Sequence, residues 1–256
     1  MIRGLDHISV AVRDLEQSRA DYQALGFVLK PGRLHENGLR NSHVKFADGT
    51  EIELITAPAP TDALATKYFT ELENGDGPVF LGFYAREDAA LVKRLSELGL
   101  ALEWSGSIAT LSHAGEYHRL FFAHRQNSPS DRPEHFAHGS TAFRLAGVWL
   151  AGAVAEQGLL VALGAVPNKE PACGPFGSPI EALSLPDGEI MFLADTARLT
   201  PGRPIIGATV SVTSLEAARR VLAANRVPFR RMDGCGRHSL WIDPSVAHGL
   251  WLEFRE

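Results

Sequence analysis

The chain has 256 residues, of which 45% are hydrophobic and 21% charged, and its formal net charge is −5. This is the composition of a globular protein with enough apolar surface for a core, arranged as one large domain or two ordinary ones. The acidic balance and the absence of Lys/Arg runs exclude a nucleic-acid surface, and no apolar stretch approaches the ~18 residues that a membrane span needs.

The first predicted strand is the apolar run LDHISVAV at 5–12, which contains one histidine, His7. Asp14 then stands at the N-cap of a predicted helix, and the helix ends near a Leu-Gly signal. Alternating strands follow, the last of them entered through the Asp-Gly turn at 48–49. Residues 1–58 are therefore predicted to form one βαβββ module.

The same order of elements recurs along the chain. The first module repeats without gaps at an offset of 200 residues, so that Val10 matches Val210 and Glu53 matches Glu253. The predicted N-cap Asp14 matches Ser214, which is also an N-cap residue type and begins a second predicted helix. Two weaker copies lie between them, and such internal repeats indicate the architecture. The four predicted modules are 1–58, 77–126, 139–196 and 203–256.

A single βαβββ module leaves its sheet half covered and its edges exposed, whereas two modules side by side form a curved sheet around a cleft. The predicted fold class is α+β, with four modules paired into two curved mixed-sheet half-barrels. The predicted domains are 1–126 and 139–256, joined by a linker at 127–138. Whether the first module pairs with the second or with the fourth is left open by the sequence.

Several motifs stand in a fixed order in the first module and near the linker. They are Asp6-His7, Leu25-Gly26-Phe27, Gly38-Leu39-Arg40-Asn41, Glu53-Leu54-Ile55, and the stretch 121–142, where a histidine and an RPE…H run follow Phe-Phe. In this order they resemble the glyoxalase-like domain of the vicinal oxygen chelate superfamily. That superfamily includes glyoxalases, extradiol dioxygenases and fosfomycin or bleomycin resistance proteins.

The resemblance implies a divalent metal in the cleft, held by a histidine on the first strand of a module and a glutamate on the last. His7 and Glu53 match these positions. Imidazole and carboxylate ligands suit Zn, Ni, Mn or Fe and leave positions open for two substrate oxygens. At the His7 position the other modules carry Phe80, Ala146 and Gly207, so packing of the strand does not require a histidine.

The third ligand has two candidates. His124 matches the histidine that follows Phe-Phe in the family, although strict alternation from Arg119 puts it on the opposite face unless a bulge intervenes. Glu253 competes if the first module pairs with the fourth. The predicted metal ligands are His7, Glu53 and His124.

Three further residues are predicted to contact substrate. Asn41 and Arg40 lie where the family keeps an asparagine, and an amide beside a guanidinium can orient a carboxylate or a diol. His138 is carried over from the RPE…H motif. Glu53 is in addition the candidate catalytic base.

These residues predict a divalent-metal-dependent, glyoxalase-like enzyme acting on a small molecule with vicinal oxygens. Isomerase or lyase chemistry is favoured over dioxygenase chemistry, because the extradiol pattern places its site in the C-terminal pair of modules, where Ala146 and Gly207 replace the histidine. The alternative is a metal-free protein that binds or sequesters a small molecule. The predicted partner is a small-molecule substrate, with no nucleic acid and no membrane; a homodimer is left open, and the N-terminus, which carries no signal peptide, predicts a cytoplasmic location.

Overall fold

The computed structural model describes residues 1–86, 89–112, 115–125, 127–169, 172–173, 179–234 and 237–256. Among the helices within these ranges, none is long and apolar enough to cross a membrane.

The first half of the chain builds one mixed sheet of eight strands and three helices. The strands are β1 (Ile2–Ala11), β2 (Lys30–Leu34), β3 (Arg40–Lys45), β4 (Glu51–Thr56), β5 (Gly77–Ala85), β6 (Ala101–Ser105), β7 (Ile108–Ser112) and β8 (Leu120–Ala123). The helices are α1 (Leu15–Ala24), α2 (Ala63–Glu73) and α3 (Ala89–Glu97). The strand order is β2-β3-β4-β1-β5-β8-β7-β6, with β1 parallel to β4 and antiparallel to β5.

The second half repeats this plan. Its strands are β9 (Ala142–Ala151), β10 (Val166–Pro167), β11 (Ala172–Cys173), β12 (Pro179–Ser184), β13 (Glu189–Leu193), β14 (Ile205–Val212), β15 (Arg230–Gly234), β16 (Arg237–Ile242) and β17 (Trp251–Arg255). Its helices are α4 (Val154–Ala162) and α5 (Leu215–Ala224). The order along the main path is β10-β12-β13-β9-β14-β17-β16-β15, and β11 pairs with β12 beside it.

The predicted fold class, four βαβββ modules paired into two curved half-barrels, is confirmed. The antiparallel pairs β1–β5 and β9–β14 join adjacent modules, so the first module pairs with the second and the third with the fourth. The predicted domain boundaries stay a prediction. Helix α2 lies between the predicted modules 1–58 and 77–126 and belongs to neither.

Two of the helices start where the sequence predicts an N-cap. The Asp14 carboxylate accepts a hydrogen bond from the backbone N–H of Gln17 at 3.0 Å, and the Ser214 hydroxyl accepts one from Ala217 at 3.1 Å. Each bond satisfies an N–H that the first turn of a helix leaves without a partner.

The two sheets pack against each other through one face each. Their buried apolar side chains form a single core that both halves share, and Phe27 stacks on Phe254 within it at 5.5 Å between ring centroids. Tyr22 of α1 also donates a hydrogen bond to the carbonyl of Ala247 at 3.3 Å. Each sheet therefore has an opposite face, here called its inner face, with its own separate apolar cluster.

Candidate functional site

His7 lies on the inner face of β1 and is only 9% exposed. Its Nδ1 donates to the Asp6 carboxylate at 2.6 Å, and its Nε2 lies 3.9 Å from Glu53 Oε2. The parallel register of β1 and β4 pairs His7 with Glu51 and Ser9 with Glu53. Glu53 therefore lies one pair further along the same face as His7. Asp6 fixes the orientation of the ring, so that Nε2 faces Glu53.

Glu53 is held from its other side by the predicted substrate residue Asn41. The Asn41 side-chain amide donates to Glu53 Oε1 at 2.8 Å, while its oxygen accepts from the backbone N–H of Arg33 at 3.0 Å. Both functional groups of the amide are thus used. The carboxylate of Glu53 is consequently fixed in place rather than free to rotate into solvent.

A second carboxylate, Glu51, lies on the same strand beside this pair. Its oxygens are 2.6 Å from Lys45 Nζ and 3.4 Å from His43 Nδ1. Burial alone would raise the pKa of Glu51, but His43, His7 and Lys45 hold it well below its usual value. Glu51 therefore adds a permanent negative charge to the surroundings of His7.

The charge state of His7 follows from these neighbours. Burial alone would lower the pKa of His7 below its usual 6.5. The hydrogen bond to Asp6 and the charges of Asp6, Glu51 and Glu53 outweigh burial and raise it to about 9. At neutral pH His7 is therefore an imidazolium, which donates from both ring nitrogens.

Helix α2 covers this part of the inner face and buries Ala65, Tyr68 and Leu72 against it. The hydroxyl of Tyr68 is hydrogen-bonded to the Ser9 hydroxyl at 2.6 Å. Burial and the charge of Glu53 raise the pKa of Tyr68 well above its usual 10, so the phenol is neutral. Aromatic rings complete the surroundings: Phe80 packs edge-on against Tyr68, and Phe121 lies 4.6 Å from the His7 ring.

Tyr68 is the part of this site that motif reasoning missed. It belongs to none of the predicted modules, but a signal was present in the sequence. Asp62 is an N-cap residue type, and the apolar residues at 65, 68 and 72 have the spacing of one helix face. That pattern predicts an amphipathic helix, although not the surface that it covers.

The predicted third ligand, His124, lies elsewhere. Its ring packs on Trp104 at 4.2 Å between centroids, and its backbone N–H donates to Ser107 at 3.2 Å. Strand β8 pairs in regular register, with Phe121 on the inner face, so alternation places His124 on the opposite side. Within the described ranges, no three His, Cys, Asp or Glu side chains are grouped to hold a metal ion. The structure thus brings His7 and Glu53 together without His124, and the three-ligand set stays a prediction.

The other two predicted substrate residues do not join the His7–Glu53 pair. Arg40 is exposed at the start of β3. His138 is buried, and its Nδ1 accepts from the backbone N–H of Val28 at 2.9 Å while its Nε2 donates to the Lys45 carbonyl at 2.8 Å. Both of its ring nitrogens are bonded to backbone, which ties the linker to β3. Its role in substrate binding stays a prediction.

The second half carries a filled counterpart of the site. Glu253, the repeat partner of Glu53, accepts a hydrogen bond from Thr209 at 2.7 Å, and Trp149 donates to the same hydroxyl at 3.0 Å. Where the first half has His7, this half has Gly207, and a Cβ added there would lie 2.2 Å from the Trp149 ring. Since Glu253 belongs to the second sheet, it does not complete the His7 site.

Comparisons with known proteins agree with this fold. A hypothetical protein from Staphylococcus aureus is 13% identical, with a TM-score of 0.64, over 100% of this chain and 99% of that one. The 2,3-dioxygenase LapB from a Pseudomonas species is 17% identical, with a TM-score of 0.64, over 100% and 93%. Homoprotocatechuate 2,3-dioxygenase from Brevibacterium fuscum is 13% identical, with a TM-score of 0.65, over 100% and 81%.

At these identities the solved structures establish similarity of fold alone. A search of curated protein sequences found no significant match. The family model described as a glyoxalase-like domain matches residues 5–168, which include most of β1, the His7–Glu53 pair and helix α2. This match covers more than half of the 256 residues, and the chain therefore belongs to the glyoxalase-like domain family.

Proposed function

We propose that the chain is a glyoxalase-like enzyme acting on a small molecule with vicinal oxygens at the His7–Glu53 pair. One observation carries the proposal: Glu53 Oε2 and His7 Nε2 lie 3.9 Å apart, both on the inner face. Glu53 is fixed from behind by the half-buried Asn41, and His7 by the buried Asp6. Fixed, desolvated groups of opposite charge are the arrangement that proton transfer needs.

The chemistry that these side chains support is proton transfer next to a carbonyl. Glu53 would remove a proton from the carbon that bears a hydroxyl, and the imidazolium of His7 would donate to the oxygen on which negative charge develops. This favours an isomerase or a lyase. Ring cleavage is the less favoured reaction. It is supported by the dioxygenases among the structures of similar fold, and that likeness concerns fold alone.

The family resemblance also predicts a divalent metal, Zn, Ni, Mn or Fe. His7 Nε2 and Glu53 Oε2 are donors of the right chemistry, but among the described residues they do not belong to a group of three His, Cys, Asp or Glu side chains that could hold a metal ion. His7 would also have to lose a proton before it could bind a metal. The donor set is thus incomplete, and the proton transfer above uses the chain's own residues only.

Proton exchange in D2O tests the proposal. We expect the α-proton signals of hydroxyacetone, glyceraldehyde or the methylglyoxal–glutathione hemithioacetal to disappear from the ¹H NMR spectrum. Glu53→Gln should slow this loss by about 10²–10⁴-fold, as removal of a general base does. Glu253→Gln is the matched control, because it removes the repeat partner of Glu53 from the filled half. Exchange with none of these α-hydroxycarbonyl compounds, or equal loss in both variants, would contradict the enzyme proposal.

The second candidate is a metal-free protein that binds or sequesters a small molecule. The surroundings of the pair favour it, because the rings of Tyr68, Phe80 and Phe121 enclose the site as they would an apolar ligand. Metal analysis of the purified chain separates the candidates in part. A metal bound at one equivalent and lost in His7→Ala would contradict the sequestering proposal, and binding of an α-hydroxycarbonyl compound without proton exchange would support it.

A further inference from the structure

Among the described helices, α2 is the one that contributes side chains to the apolar cluster on the inner face of the first sheet, so its position affects how enclosed the His7–Glu53 pair is. It buries Ala65, Tyr68 and Leu72 there, and Tyr68 is hydrogen-bonded to Ser9. A helix of 11 residues is stabilised mainly by tertiary contacts rather than by its own helix propensity. Further contacts of this kind lie at its C-terminal end.

The strongest anchor is Glu71, one turn after Tyr68. Its Oε2 accepts from Arg203 Nε at 2.8 Å, and its Oε1 accepts from Arg119 Nη2 at 2.6 Å. Arg203 also donates to the backbone carbonyls of Glu71 and, at 3.1 Å, of Gly75. The guanidinium of Arg203 thus binds the Glu71 carboxylate, a carbonyl in the last turn of α2 and the carbonyl of the residue after the C-cap. The planar, forked donors of arginine suit such multiple contacts.

Arg203 does not belong to the half that carries the site. It lies between β13 and β14 of the second half and is 2% exposed. The N-terminal end of α2 is held differently, by an exposed hydrogen bond from Asn37 to Asp62 at 2.9 Å. The C-terminal end of α2 is thus held from both halves, by Arg203 of the second half and by Arg119 and Arg13 of the first, the last of which donates to a carbonyl of the last turn at 2.7 Å. The N-terminal anchor is exposed and lies within the first half.

We propose that Arg203 is a positioning residue by which the second half holds α2, and with it Tyr68, over the His7–Glu53 pair. Among the described residues of the second half, the Trp149 ring occupies the inner face at the position that corresponds to His7. The contribution of the second half to the proposed enzyme is then to fix the cover of the first half's site. This inference rests on the proposed function only in taking that pair as the active site.

Nitration of tyrosine by tetranitromethane, mapped by peptide mass, measures this directly and needs no substrate. Tyr68 is 4% exposed on the buried side of α2, and Tyr22 is 0% exposed in the shared core, so Tyr22 reports any general opening of the fold. The test variants are Arg203→Met, Arg203→Lys and Glu71→Gln. Arg198→Met is the control, since Arg198 lies in the same segment between β13 and β14 but pairs with Asp195 instead.

We expect Arg203→Met to speed nitration of Tyr68 by about tenfold, equivalent to roughly 1.4 kcal/mol in the local opening equilibrium. Tyr22 should react as in the wild type, Arg203→Lys should lie between the two, and Arg198→Met should change neither tyrosine. If Arg203→Met fails to fold, Glu71→Gln, which keeps the size of the side chain, carries the same expectation.

Two results would overturn the inference. Nitration of Tyr68 at the wild-type rate in Glu71→Gln and in every folded Arg203 variant would mean that other contacts position α2. A parallel increase at Tyr68 and Tyr22 would mean that Arg203 supports the whole fold rather than this helix. Either result leaves the proton-exchange test of the proposed function intact, because that test uses different variants and a different measurement.

Discussion

His7 keeps its proton because three carboxylates surround it in a place from which water is largely excluded. The pairing of His7 with Glu53 and the neighbourhood of Asn41 could be anticipated, since motif and strand register both place them on one face. The role of Asp6 could not be assigned, because a residue adjacent in a strand ordinarily points to the opposite face. Tyr68 could not be assigned either, because nothing in the sequence says where an amphipathic helix docks.

The hydrogen bond from Asn41 to Glu53 predicts the effect of Asn41→Asp. A second carboxylate would then face Glu53 in a partly buried place, and we expect the free energy of unfolding at pH 7 to fall by about 1–3 kcal/mol. The loss should shrink as the pH falls towards 4 and one carboxyl takes up a proton. Urea denaturation at both pH values measures it.

Asn37→Asp is the control for that substitution. Asn37 also donates its amide to a carboxylate, that of Asp62, but this pair is exposed. Water screens the repulsion there, so the stability should barely change. Equal effects at the two positions would show that the surroundings of Glu53 are as wet as the surface.

At the scale of the elements, one glycine in each of two strands allows an aromatic ring to lie close to the inner face. Gly82 of β5 faces the Phe121 ring, and Gly207 of β14 faces the Trp149 ring, with space for a Cβ at neither position. Modules, helices and caps could be predicted from periodicity and from the residue types at Asp14 and Ser214. The close approach of a ring to each glycine could not be predicted. The comparison of repeats shows only that Gly207 stands where the first module has a histidine.

Gly207→Ala should therefore destabilise the second sheet. Its φ is not in the left-handed region, so the cost is steric: the new methyl group would lie 2.2 Å from a fully buried indole. We expect a loss of about 1–3 kcal/mol in the free energy of unfolding, as for other overpacked cores.

Gly158→Ala provides the opposite case. Gly158 lies inside α4 with nothing within 4 Å of a Cβ, and alanine is the better helix former. We expect a gain of about 0.5–1 kcal/mol. Thermal or urea unfolding of the two variants side by side checks both signs, and destabilisation by Gly158→Ala would contradict the helix assignment of its surroundings.

At the scale of the whole molecule, the halves are joined by polar contacts as well as by the shared core. His248 lies between two carboxylates of the first half, 2.8 Å from Asp76 and 2.9 Å from Asp21. The ungapped repeat predicted that the first and fourth modules are alike, but likeness by descent does not determine which modules pair. The sheet pairings β1–β5 and β9–β14 depend on contacts between modules that no repeat records.

His248→Asn should reveal a pH-dependent contribution to stability. Burial would lower the pKa of His248, but the hydrogen bonds to Asp76 and Asp21 raise it above the usual 6.5. A raised pKa in the folded state stabilises fully below the unfolded value and is lost as the pH rises through the folded one. We expect the wild type to exceed the variant by about 1–3 kcal/mol near pH 6, and by progressively less at higher pH.

Asparagine suits this test because His248 has a φ of 52°, a conformation that asparagine tolerates. His238→Asn is the control, since His238 lies 2.6 Å from Asp233 in a pair that is exposed. Its stability difference should be small at every pH. A difference for His248→Asn that grows with rising pH would contradict the assigned direction of the pKa shift.

The filled inner face of the second half has a consequence for spectroscopy. Of the four tryptophans, Trp149, Trp241 and Trp251 lie in or against that cluster, and only Trp104 belongs to the first half. Intrinsic fluorescence is therefore an unequal reporter, dominated by one half of a duplicated molecule, whereas far-UV circular dichroism weighs both halves alike. Coincident unfolding curves from the two signals would show that the shared core makes the halves one cooperative unit. Different midpoints for the two curves would show that the halves unfold separately.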